Sequence, residues 1–182
     1  MLDARRAVRF VRNKAEEYGI DKNKIAVMGS SAGGHLAALV STYTKPIDFE
    51  GLDEIDNENF LPNAQILCYP VICHPADDGV AHTGSYRSLL DDKYYDLAKE
   101  VDPALNVNET TPIAFIWHTA NDNAVNVINS YTYATELRKN NISCEMHIFP
   151  EGPHGLGLAP NNPHVAKWSE LLIGWLKEIN WI

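Results

Sequence analysis

The sequence predicts an α/β fold of three layers, α/β/α, built on a mostly parallel sheet. Three observations carry this. Apolar runs of strand character fall at 24–28, 64–72 and 113–117, with a fourth strand over 143–149, and helical stretches lie between and around them. The connections are long enough for helical crossovers, which lay consecutive strands parallel and put helices on both faces. A length of 182 residues suits a single domain with one sizeable core.

Taken in order, residues 3–18 read as an amphipathic helix. Ala4, Ala7, Val8, Val11, Ala15 and Tyr18 recur at helical spacing, with Arg5, Arg9, Arg12 and Glu16 on other faces. Asp3 can cap it and Gly19 can end it. The strand at 24–28 is apolar on both faces, as a central parallel strand should be. The helix over about 32–42 is apolar nearly all round and is expected to be buried. Asp48, Glu50, Asp53, Glu54, Asp56 and Glu58 then crowd a stretch rich in Asn, which reads as a solvated excursion over 43–63 rather than a metal site. Residues 73–111 form a longer irregular excursion with helical patches near 85–91 and 94–100, a candidate lid or cap within one domain spanning 1–182. Pro112 introduces the third strand. The helix over 125–140 presents Ile128, Tyr131, Ala134 and Leu137 on one face and stops at Asn140 and Asn141. Asn162 and Pro163 open the last helix, whose apolar stripe is Val165, Trp168, Leu172, Trp175 and Ile179.

Hydrophobic residues make up 45% and charged residues 21%, a globular composition. A net charge of -9 offers no basic stripe for phosphates, so neither nucleic acid nor an anionic membrane is an expected partner. No apolar run approaches the roughly 20 residues that span a bilayer. Met1 to Arg6 lacks the apolar core of a secretory signal, and a cytoplasmic location is expected. Cys68, Cys73 and Cys144 show no metal-ligand spacing; Cys68 and Cys144 fall in strand-like runs and read as buried small side chains. No cofactor and no metal are expected.

The chemistry gathers where strands end. Gly29-Ser30-Ser31-Ala32-Gly33 stands between a strand and a helix, the context in which Gly-x-Ser-x-Gly forms a nucleophile elbow rather than a plain glycine-rich turn. Ser31 would project beside a helix N-terminus that favours developing negative charge, with the Ala32 backbone N–H as oxyanion donor. A serine hydroxyl needs a base, and the base an orienting acid. His154 lies in a Gly- and Pro-bounded loop after the fourth strand and is the candidate base; the alternative is a surface-loop histidine. Asp122, in the loop after the third strand, is the candidate acid, with a turn or cap role as the alternative. His118 is expected to pack and hydrogen-bond at its strand end, His35 to support the site or the core, and His147 to be structural. Asp102, ahead of Pro103, reads as a turn residue. His74, His82, Tyr86, Tyr94 and Tyr95 lie in the excursion, where a substrate contact is open. The order Ser31, Asp122, His154 is the nucleophile–acid–histidine order of α/β-hydrolases.

Three stretches carry a family resemblance: Asp21 to Ala37 around the elbow, Trp117-His118-Thr119-Ala120-Asn121-Asp122, and Gly152-Pro153-His154-Gly155. On these the chain resembles the acetyl-esterase and carbohydrate-esterase branch of the α/β-hydrolase superfamily, near the hormone-sensitive-lipase-like esterases. The resemblance implies Ser31 as nucleophile, Asp122 as acid, His154 as base, and cofactor-free hydrolysis of simple esters, often acetyl groups on sugars or xylan fragments. It also implies several strands ahead of the first helix and a His-Gly-Gly-Gly-like loop giving half of the oxyanion hole. No such loop occurs in this sequence, so the chain reads as an N-terminally truncated α/β-hydrolase fold whose first strand is left as an edge. A homo-oligomer through that edge is expected. A catalytically impaired remnant and a serine peptidase of the same architecture stand as alternatives to the esterase.

Overall fold

The computed structural model describes residues 1–47, 53–75 and 79–182, and Tyr94 in its backbone only. Asp48 and Glu50 of the acidic stretch therefore lie outside the described residues. Four strands, β1 (Ala26–Ser30), β2 (Ala64–Cys68), β3 (Ile113–Thr119) and β4 (Cys144–Phe149), make one sheet in the order β1-β2-β3-β4. Every pairing is parallel, with Ala26 opposite Ala64, Ala64 opposite Ile113 and Ala114 opposite Cys144. All four strands thus end on one side, where open α/β sheets bind ligands.

The helices are α1 (Leu2–Asn13), α2 (Ala15–Tyr18), α3 (Ala32–Thr42), α4 (Thr83–Leu90), α5 (Ile128–Lys139), α6 (Pro163–Ala166) and α7 (Trp168–Glu178). On one face of the sheet Ala37, Ala38, Tyr133 and Leu137 from α3 and α5 pack on Leu67, Ala114 and Ile116. On the other, Val165, Trp168 and Trp175 from α6 and α7 pack on Ile66, Phe115 and Trp117. Alternate residues of β2 and β3 feed the two cores, as the pleat requires. Asn162 caps α6 through the Val165 N–H, with Pro163 in its first turn. Among the described residues, no helix is long and apolar enough to cross a membrane.

Several expectations are corrected. The helix at 3–18 breaks at Lys14 into α1 and α2; Gly19 ends it in the left-handed region, but Met1 rather than Asp3 holds the N-cap position. The buried face of α1 carries Arg5, Val8, Arg9 and Arg12, so the arginines expected outside are inside. Their targets explain the inversion. Arg5 donates to the carbonyls of Tyr43 and Lys45 and lies 4.0 Å over the Phe60 ring. Arg9 reaches the Glu58 carbonyl, and Arg12 the carbonyls of Lys22, Asn59 and Leu61 and Asn63 Oδ1. Arg6 pairs with Asp53 and Asp56. That pairing holds the Asp53 carboxyl down at about 2, against a smaller opposing effect of desolvation. The described acids of 53–58 are thus partly spent on α1 rather than simply solvated.

Strand β1 begins and ends two residues later than expected; it is the edge of the sheet, as the truncated reading expects, with Met28 56% exposed. A groove lined by Ala4, Ala7, Val27, Met28 and Leu36 runs beside it. Strand β2 stops at Cys68, short of Ile72. Helix α5 buries Asn129, Ser130, Tyr133 and Leu137, whereas Ile128 and Tyr131 are exposed. Asn129 turns inward because it accepts from the N–H groups of Ile72 and Cys73, and Ser130 because it meets His118. Tyr86 and Ala98 of the 73–111 excursion share a small core with Val71 and Val125, which flank it. Residues 92–99 and 104–106 are short 3-10 turns.

Arg12→Met would keep the aliphatic stem and leave four acceptors without their donor. Urea unfolding is expected to show a loss of about 3 kcal/mol, in the range for hydrogen bonds to a charged group.

Candidate active site

The site is built where β1 passes into α3. A Cβ on Gly29 would lie 2.0 Å from the Gly33 carbonyl oxygen, so only glycine lets the strand and the first helical turn cross there. A Cβ on Gly34 would fall 2.8 Å from that of Pro70, which seats α3 against the exit of β2. Between these contacts Ser31 takes φ 54°, ψ -121°, a strained conformation for a residue with a side chain. Its N–H donates to the Cys68 carbonyl and its carbonyl accepts from the Val71 N–H, so β2 holds the turn from both ends. The hydroxyl is left at the tip of β1. Ala32 opens α3, where a backbone N–H has no partner within its own helix.

The loop after β4 brings His154 to that hydroxyl, with Nε2 2.8 Å from Ser31 Oγ. The loop after β3 brings Asp122, with Oδ2 2.6 Å from His154 Nδ1. A nitrogen facing a carboxylate carries the hydrogen, so Nε2 presents its lone pair to the Ser31 O–H. The loops are tied together: Thr119 Oγ1 donates to the Gly152 carbonyl, and the Gly152 N–H to Asn121 Oδ1. Asp122 Oδ1 accepts from the N–H groups of Ala124 and Val125. Its side chain is fully buried. Burial alone would raise the Asp122 pKa, but the His154 hydrogen bond and the two backbone donors outweigh it and bring the carboxyl below its ordinary value. A hydroxyl on an imidazole whose far nitrogen is held by a carboxylate can lose its proton as it attacks a carbonyl.

The structure therefore brings Ser31, His154 and Asp122 together, with the Ala32 N–H beside them. The other candidates lie apart from that chain of contacts or behind it. His35 Nδ1 faces the Val71 carbonyl at 3.2 Å, and burial lowers its pKa. His74 is held by Asp102, which also caps the turn at Ala104. His82 caps α4 through Ser85, and His147 meets Glu145. Tyr86 is buried with its hydroxyl on the Ile72 carbonyl, so of the two roles open to it the structure shows packing rather than a contact to a sugar ring. A half-enclosed recess of about 60 Å3 opens beside Ala32, walled by His35, Val71, Ser85, Tyr86 and Leu89.

The BD-FAE family model matches residues 1–137 of the 182. The chain belongs to the BD-FAE family of α/β-hydrolase esterases. Over its whole length this BD-FAE chain superposes on the acetyl ester-xyloside bifunctional hydrolase of Caldicellulosiruptor lactoaceticus, with a TM-score of 0.91 and 40% identity, covering 66% of that chain. It is 36% identical to endo-1,4-beta-xylanase B of Butyrivibrio fibrisolvens over 92% of its own length and 26% of that protein's. It is 31% identical to the acetylxylan esterase of Xylanibacter ruminicola over 97% of its own length and 35% of that protein's. The BD-FAE chain thus spans about a quarter to two thirds of these relatives.

Two residues at this site carry no sequence signal for what they do. His118, expected to pack and hydrogen-bond at its strand end, does both, but its partner is the site itself: it is fully buried with Nε2 3.2 Å from the same Asp122 Oδ2 and 3.0 Å from the Val125 carbonyl. Facing two acceptors, Nε2 carries the hydrogen, and Nδ1 accepts from Ser130 Oγ at 2.8 Å. Burial lowers its pKa, so it donates to Asp122 as a neutral ring. Tyr69 packs edge-to-face on His154, with ring centroids 5.0 Å apart.

Because the folded Asp122 pKa is depressed, its contribution to stability is complete above the ordinary carboxyl range, near pH 4, and is lost as pH falls through the folded value. The stability difference between the wild type and Asp122→Asn is expected to be largest near neutrality and to narrow in acid, as read by urea unfolding at a series of pH values.

Proposed function

We propose that the chain is a serine esterase acting on short-chain, acetyl-type esters carried by sugars or xylan fragments. The observation that carries this reading is the continuous line from Ser31 Oγ through His154 to Asp122. Ser31 Oγ attacks the ester carbonyl carbon while His154 Nε2 takes its proton. The carbonyl oxygen becomes anionic and turns to the Ala32 N–H, where the start of α3 favours negative charge. His154 then returns the proton to the leaving alcohol oxygen, and the acyl group stays on Ser31. Water repeats the sequence and releases the acid. Asp122 stays ionised throughout and stabilises the imidazolium.

The recess beside Ala32 supports a small acyl group. The leaving oxygen must lie at His154 Nε2, because it takes its proton from there. We place the acyl chain in the recess that Ala32, the residue after the serine, lines with Val71 and Leu89. At about 60 Å3 the recess is small, which favours a short acyl group over a long chain. The names of the Caldicellulosiruptor and Xylanibacter relatives favour acetyl esters on xylan-type sugars.

A fluorophosphonate probe is expected to label Ser31 and to fail on Ser31→Ala and His154→Ala, as read by peptide mass mapping. Labelling at another residue, or faster turnover of aminoacyl-nitroanilides than of p-nitrophenyl acetate, would sink the reading. Leu89→Ala should open the recess and raise the kcat/KM ratio of p-nitrophenyl hexanoate to acetate about tenfold, the scale at which pocket methylenes discriminate.

A further inference from the structure

We infer that Tyr69 is a positioning residue for His154, and that it works as one end of an aromatic brace, Tyr69–Trp117–Trp168, that clamps the histidine loop. The inference rests on the proposed role of His154 and deepens it.

Four independent observations meet at Tyr69. It is only 5% exposed, yet it follows the last residue of β2 rather than filling a regular strand position. Its φ is 39°, a region that bulky residues rarely enter, and such conformations persist where surrounding contacts over-determine them. Its ring meets the His154 imidazole at 5.0 Å and 72°, and on the other side meets Trp117 at 4.9 Å and 88°. Its hydroxyl oxygen accepts from the Gly157 N–H at 3.2 Å.

The far end of the brace grips the same glycine. Trp168 stacks on Trp117 with centroids 5.0 Å apart and planes 16° apart. Its indole Nε1–H donates to the Gly157 carbonyl at 2.9 Å. Both polar groups of Gly157 are therefore held by the two outer members of one aromatic stack. His154 lies three residues before that anchor, in a segment with positive φ at Gly152, Gly155 and Gly157. A glycine-rich loop has little stiffness of its own, so its geometry comes from what it is tied to. The neighbouring residues of the same turn tie Ser31, through the Cys68 carbonyl and the Val71 N–H. One short segment, 68–71, thus fixes the serine by its backbone and the histidine by the Tyr69 ring and hydroxyl. The spacing of the two reacting groups becomes a property of that segment.

The test uses three variants, Tyr69→Phe, Tyr69→Leu and Trp168→Phe, with kcat and KM on p-nitrophenyl acetate and the rate of fluorophosphonate labelling at Ser31. All are measured well below each variant's melting temperature. Tyr69→Phe keeps the ring and loses the hydroxyl anchor. It is expected to lower kcat about fivefold, the equivalent of one hydrogen bond, with KM within twofold of wild type. Tyr69→Leu also removes the ring and should lower kcat about 100-fold, the scale of a misplaced reacting group. Trp168→Phe keeps the stack and loses the indole donor, and should resemble Tyr69→Phe. The labelling rate should fall in parallel with kcat. If the wild type itself fails to label at Ser31, the serine-esterase reading fails. If the wild type labels and the variants label and turn over within twofold of it, the brace is overturned while that reading stands. A rise in KM with kcat unchanged would make Tyr69 a substrate contact and overturn the positioning role. Should Tyr69→Leu fail to fold, the Phe variants alone decide.

Discussion

The close passage of β1 over the first turn of α3 is the constraint on which the site depends. Without a Cβ at Gly29 the strand lies against the Gly33 carbonyl, and no other residue fits there. The helix must therefore begin at once, and the chain reverses within a single residue. Ser31 absorbs that reversal in its backbone, which turns its side chain out at the tip of the strand. The same crossing leaves the N–H groups at the start of α3 facing the space above the serine. The exposed hydroxyl and the free N–H groups of the helix start are thus one geometric event, and the strain at Ser31 is its local cost.

Asp122 shows how a buried carboxylate is kept both charged and aimed. Removing it from water favours the neutral acid, and four donors oppose that: the Ala124 and Val125 N–H groups on one oxygen, His154 and His118 on the other. The two histidines have different tasks because their surroundings differ. His118 is enclosed by Ser130, the Val125 carbonyl and Asp122, which fixes its tautomer and keeps it neutral. His154 is enclosed on one side only, and its free nitrogen turns to Ser31. Burial of one imidazole and partial exposure of the other separate two roles around a single carboxylate.

Much of the fold was legible because its signals are local. Four strands, their parallel sense and the Asn162–Pro163 start of the last helix followed from runs, crossover lengths and capping chemistry. So did the elbow context of Ser31 and the ordering of Asp122 and His154. What stayed hidden depends on distant partners. The arginines of α1 looked like a solvent face because periodicity sorts residues by polarity, and nothing in a helix announces that carbonyls of 43–61 will turn toward it. Asn129 displaced Ile128 from the buried face of α5 for the same reason: two backbone N–H groups past β2 needed an acceptor. His118 and Tyr69 each sit at a strand end with ordinary local sequence. Their work is defined by His154 and Asp122, which arrive from other strands.

The free edge of β1 bears on the reaction differently from the rest of the sheet. Beyond the β1–α3 crossing, the hydrogen bonds and ring contacts that hold Ser31 and the histidine loop come from the inner side: Cys68, Tyr69 and Val71 from the exit of β2, Asp122 from that of β3, Gly157 from the loop after β4. None of these passes through the outer edge of β1 or the apolar groove beside α1. The imidazole and the carboxylate are therefore held from the β2–β4 side, while the hydroxyl comes from the β1–α3 crossing. Ala32 opens the helix that also walls that groove through Leu36. The hydrogen-bonded line from Ser31 through His154 to Asp122 lies on the other side of the serine's strand from that groove.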